Sequence, residues 1–169
     1  MTRYSLDELT DIFTRLGADD PEIWAKSQHE EGINQLHRFL FLRQAWKCVS
    51  GEQDDSWIDR QIAHFRKRPD EPYAGVGRAL ERLLALGADR RDLVDLVRGT
   101  QAEALFSFSY LLSDPDLLND EVEEVREMGW ALVETDPEGN PTGRGIGFLH
   151  ESVLEMDPTH REMRPRQRN

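Results

Sequence analysis

The residues of this chain best suited to metal ligation or proton transfer near neutral pH are five histidines: His29, His37, His64, His150 and His160. A helical metal site wants two ligands on one face, as at i and i+4 in H-E-x-x-H. His29 and His37 lie more than two helical turns apart, too far to share one ion directly. Glu30, Asn34 and His37 do fall on one face, but the paired Glu-x-x-His of di-iron bundles is absent from the sequence. The spacing therefore predicts no metal ligands and no cofactor. His150-Glu151-Ser152 brings together the residue types of a hydrolytic triad. Sequence neighbours seldom direct their side chains to one point, however, and no G-x-S-x-G elbow occurs, so no catalytic residue is assigned. Gly143-Arg-Gly-Ile-Gly147 has the glycines of a phosphate loop, yet it overlaps a strand-like run instead of opening a helix. Tight backbone geometry is its expected role. Cys48, beside Trp46 and Val49, reads as a small buried hydrophobe, and as the single cysteine it suits a reducing compartment.

Charge is the other chemical resource. Between Asp114 and Glu138 stand ten acids (Asp114, Asp116, Asp120, Glu121, Glu123, Glu124, Glu127, Glu134, Asp136 and Glu138) and one base, Arg126, so this stretch holds most of the chain's net −12. Such a field repels nucleic-acid backbones and anionic membranes and attracts basic partners. Part of it has a structural explanation: Glu121, Glu123 and Glu124 would favour the positive end of a helix, and Asp114, Asp116 and Asp120 are natural caps. The basic tail, with Arg161, Arg164, Arg166 and Arg168 against Glu162, could also fold back over the acids. A calcium loop is not indicated, since Asp116 is followed by Leu117-Leu118.

The elements that must position these groups are mostly helical. Ser5 and Glu8 form a capping box ahead of Leu9, Ile12, Phe13 and Leu16, and Gly17 stops that helix. Asp20-Pro21 opens a second helix expected to run to Ser50, with Gly32 as its weak point and Leu36, Phe39, Leu42, Trp46 and Val49 as its inward stripe. A third is expected over Ser56–Lys67, a fourth over Tyr73–Leu86, and a fifth from the Asp89 cap to Leu112, which Gly99-Thr100 could split. Phe106, Phe108 and Tyr110 cannot share one face, because residues two apart diverge by about 200°. The favoured explanation is burial on several sides; a contact surface is the alternative. A sixth, shorter helix is expected over about Asp120–Met128. Turn formers at Asp136–Pro141 between Trp130–Thr135 and Gly145–Leu149 suggest a hairpin.

The sequence thus predicts a mainly α, single-domain bundle of five to six helices with a small β-hairpin near residues 130–149. The helical domain would occupy 1–157, and a basic tail 158–169. No apolar run approaches the ~18 residues that span a bilayer, and the N-terminus lacks a hydrophobic signal core. The expectation is a cytoplasmic protein that binds neither membrane nor nucleic acid. The functional expectation is a non-enzymatic acidic interaction module for a basic protein surface, using Glu121, Glu123, Glu124 and Glu127 with Trp130 as aromatic anchor. Immunity proteins and small inhibitors of cationic enzymes offer an analogy by charge and size alone. Two alternatives stand beside it: a small-ligand binder or enzyme with a polar pocket lined by His37, Arg98, Gln101 and His150, and a homo-oligomeric structural protein.

Overall fold

The computed structural model describes residues 4–114 and 121–166. It is a mainly α structure of six helices and one two-stranded antiparallel sheet. The helices are α1 (Leu6–Leu16), α2 (Pro21–Lys26), α3 (Gln35–Ala45), α4 (Ser56–Lys67), α5 (Ala74–Ala85) and α6 (Arg90–Ser113); the strands are β1 (Val133–Thr135) and β2 (Pro141–Gly145). The chain forms two compact units, Met1–Trp46 with Leu105–Glu162, and Lys47–Ala104 with Met163–Asn169. The basic tail is shared between them, residues 158–162 going with the first and 163–166 with the second.

In the first unit the Ser5 capping box is formed: the Ser5 hydroxyl accepts from the Glu8 N–H, and the Glu8 carboxylate accepts from the Ser5 N–H at 2.8 Å. Two orphan donors of the α1 start are thereby satisfied. Gly17, at φ 81°, closes α1 in the left-handed conformation. The helix expected from Pro21 to Ser50 is two helices. Past α2 a single wide turn, Ser27–Glu31, ends at Gly32 with φ 74°, and α3 starts anew at Gln35. The break is stabilised from inside. Buried Gln28 accepts from the Leu36 N–H at 2.7 Å, capping α3, and Gln35 donates to the Ser27 hydroxyl at 2.9 Å. These turns bring Phe13, Trp24 and Phe39 together with Leu9 and Ala25 as one core. Phe39 meets Phe13 and Trp24 edge-on at centroid distances of 5.6 and 5.3 Å, the arrangement that the aromatic quadrupole favours.

The second unit packs α4, α5 and the first part of α6 around Ile58, Leu80, Leu93 and Val94. Gly77 is what lets α4 and α5 approach, since a Cβ there would stand 2.9 Å from the Phe65 Cβ and 3.1 Å from the Gln61 carbonyl. Arg90 bridges Asp55 and Asp59 at 2.6 and 2.8 Å, and Arg166 pairs with Glu52 and Asp95.

Three expectations need correction. Helix α6 is continuous through Gly99 to Ser113. The expected sixth helix starts at Asp120, outside the described residues; over 121–128 there is only one 3₁₀ turn, Glu123–Val125. Glutamates at mutual spacings of three and four repel along a helix, and so short a segment has few bonds to repay nucleation. The second strand is Pro141–Gly145, earlier than Gly145–Leu149, and the register is irregular between Val133 and Thr135. Gly143, at φ 82° in that strand, supplies backbone geometry that other residues adopt only with strain. This is the structural role expected of the glycine-rich run.

Candidate functional site

The acidic stretch separates into two groups by what its side chains touch. Glu134, mostly enclosed, accepts from Asn34 Nδ2 at 2.9 Å and pairs with Arg144 at 3.2 Å, with His37 Nδ1 3.8 Å away. It ties the hairpin to the start of α3. Asp136 is the turn keystone: its carboxylate accepts from the Asn140 N–H at 2.8 Å, from Asn140 Nδ2, and from the Glu138 N–H at 3.0 Å. These bonds, led by the Asn140 side chain, hold its carboxyl below the ordinary aspartate value. Both acids therefore serve the fold.

Glu121, Glu123, Glu124 and Glu127 are different. All four are exposed, and among the described residues none of their carboxylates carries a hydrogen bond or ion pair. Interleaved with them are Val122 and Met128, 53% and 61% exposed. At the end of this segment Trp130, itself 47% exposed, donates its indole N–H to the Leu111 carbonyl at 2.8 Å. That bond seats Trp130 against the last turn of α6.

Those last turns carry Phe106, Phe108, Tyr110 and Leu111, all exposed, Phe108 by 65%. Burial on several sides, the favoured expectation for this aromatic run, is thus overturned: only Ser109 among its neighbours is fully buried, and the other faces look outward. Phe106 and Tyr110, one turn apart, both rest on the His150 ring at centroid distances of 6.0 and 4.7 Å. Phe148, 60% exposed, stands two residues earlier with left-handed backbone at φ 54°. Such a conformation is uncommon for an aromatic residue and costs about 1–3 kcal/mol. The result is an exposed aromatic face on the first unit made by Phe106, Tyr110 and His150, with Phe108 exposed on the other side of the helix.

The residues proposed to line a polar pocket are otherwise engaged. His37 bonds Asn34 Oδ1 through Nδ1 at 2.8 Å. Arg98 and Gln101, in the second unit, grip both backbone polar groups of Ser50: Arg98 donates to the Ser50 carbonyl at 2.8 Å, and Gln101 accepts from the Ser50 N–H at 2.7 Å. His150 lies in the aromatic face just described, its Nδ1 buried without a partner. Glu151, its neighbour in the triad-like run, pairs with buried Arg38 at 3.2 Å. Cys48 is exposed rather than buried, because it falls on the outward side of the 3₁₀ turn Trp46–Cys48 that follows α3. Among the described residues no cluster of three or more His, Cys, Asp or Glu side chains is placed to hold a metal ion, and no helix is long and apolar enough to cross a membrane. Sequence reasoning named the acids and Trp130; it missed Phe106, Phe108, Tyr110 and Phe148 as their companions. The signal was present in the alternation Phe106-Ser-Phe108-Ser-Tyr110, which a helix cannot bury on one side.

Compared with protein-family models, curated proteins and solved structures, the chain gives no match.

Proposed function

We propose that this protein binds a basic, amphipathic segment of a partner protein across the surface formed by the end of α6, residues 121–130 and Phe148–His150. The observation that supports this reading is the Trp130–Leu111 hydrogen bond, because it brings the end of the acidic segment onto the helix that carries the exposed aromatic residues. Exposed apolar groups at this density normally mark a contact site. Trp, Tyr and Phe supply most of the affinity in such interfaces, while surrounding charge steers the encounter and selects the partner. Carboxylates with no counter-ion among the described residues suit lysine- and arginine-rich partners. The reading supports a non-enzymatic interaction module over a catalytic role.

The test is a fluorescence-anisotropy titration of three labelled peptides: a Lys/Leu amphipathic helix, the same helix with Glu for Lys, and the same with Ser for Leu. The Lys/Leu peptide is expected to bind, and the other two to bind at least about tenfold more weakly. Changing Glu121, Glu123, Glu124 and Glu127 together to Gln should cost about tenfold, from four exposed pairs at about 0.3 kcal/mol each. Phe108→Ser should weaken the same peptide without altering its salt dependence. Equal binding of all three peptides, or of wild type and the Gln variant, would refute the proposal.

A further inference from the structure

A second site lies elsewhere on the first unit. A groove of about 350 Å³ opens between the α1–α2 connection and residues 155–162. Its walls are apolar or aromatic: Leu16, Trp24, Phe39, Trp46, Met156 and Pro158 all line it. Trp46 is locked there by donating its indole N–H to the Val153 carbonyl at 2.9 Å, and Trp24 by its edge contact with Phe39. The rim is acidic, formed by Asp19, Asp20, Glu155 and Glu162. Asp19 is paired, with His160 Nδ1 at 2.7 Å. Asp20 is not: it stands at the cap of α2 but makes no side-chain cap bond, and it has no partner among the described residues. Glu155 accepts a hydrogen bond from Ser152 and feels the attraction of Arg38 ahead of the smaller repulsions from Asp20 and Asp19. Burial is the largest cause and pushes its carboxyl above the ordinary glutamate value. Arg43 also lines the groove, so the rim is not uniformly negative.

We infer that this groove binds a small organic cation, an amine or guanidinium carried on an apolar body. The apolar body would replace water against Trp24, Phe39 and Met156, and the cationic head would pair with Asp20 and Glu155 at the rim. Carboxylates beside aromatic walls suit such ligands, because the cation gains from both the charges and the ring faces, while a neutral ligand gains only the burial.

Calorimetric titration of the full chain with phenethylamine, 2-phenylethanol and 3-phenylpropionate separates the contributions, since the three share an aromatic body and differ in the charge of the head. Phenethylamine is expected to bind at least tenfold tighter than 2-phenylethanol, and 3-phenylpropionate more weakly than either. The Trp24 and Trp46 indole N–H resonances should shift on binding, which locates the ligand. Glu155→Gln and Asp20→Asn should each lower phenethylamine affinity at least threefold and leave 2-phenylethanol unchanged, with retained indole resonances showing that each variant is folded. Equal affinity for amine and alcohol would leave only an apolar groove and overturn the inference. Preference for the carboxylate would show that Arg43 governs the site and would overturn it too, as would no binding by any of the three. None of these outcomes bears on peptide binding at the end of α6.

Discussion

Asp136, half-buried, and Glu121, exposed, are acids of one charged stretch, yet their roles differ because of what surrounds them. The Asp136 carboxylate collects three donors in the hairpin turn. Its carboxyl is held below the ordinary value, so it favours the folded turn fully above the aspartate value of about 3.9 and loses that contribution as the pH falls through its own, lower value. Amide chemical shifts of Glu138 and Asn140, followed from pH 7 to pH 2, should therefore hold steady until below about pH 4 and then move together. Asp136→Ala should remove that acid transition; a transition that survives the substitution would show that another group controls the turn. The turn itself was legible in the sequence as Asp-Pro-Glu-Gly-Asn-Pro. The task of Glu134 was not, because its partners Asn34, His37 and Arg144 come to it only through the fold.

At the scale of elements, local signals located most helices well. The Ser5 box, Gly17, Asp20-Pro21 and the Ser56–Lys67 run each start or stop a helix where short-range chemistry requires it. The failures came where competition was not local. Gly32 ends one helix where Gln28 caps the next from inside, whereas Gly99 lies within an unbroken helix. Gly77 and Gly99, each inside a helix, make opposite predictions. Gly77→Ala forces a Cβ against Phe65 and Gln61, an overpacking cost of about 1–3 kcal/mol that outweighs the about 1 kcal/mol alanine gains in helix propensity. Gly99→Ala meets nothing within 4 Å and should stabilise by up to about 1 kcal/mol. Urea denaturation should show a lowered midpoint for the first and a raised midpoint for the second. A raised midpoint for Gly77→Ala would mean that α4 and α5 separate easily, contrary to their packing.

For the whole molecule, a net charge of −12 acts before any contact forms. Charged fields of this size steer association and fade beyond the ~8 Å screening length at physiological ionic strength. Stopped-flow association of the Lys/Leu peptide should slow steeply as salt rises from 20 to 300 mM, with a dissociation rate that changes little, because the aromatic contacts are not screened. A dissociation rate as salt-sensitive as the association rate would shift the affinity from the aromatic face to the carboxylates. The charge was readable from composition alone. That the acidic segment ends on the aromatic helix was not, since Trp130 and Leu111 meet only in the folded chain.

The most direct test of the central claim is an amide correlation spectrum of the full chain titrated with the Lys/Leu peptide. Shifts are expected at Phe106–Leu111, Glu121–Trp130 and Phe148–His150, with α5 undisturbed. Shifts centred instead on the exposed Tyr73, Val76, Leu83 and Leu86 of the second unit, or no shifts at saturating peptide, would contradict the assignment of this surface.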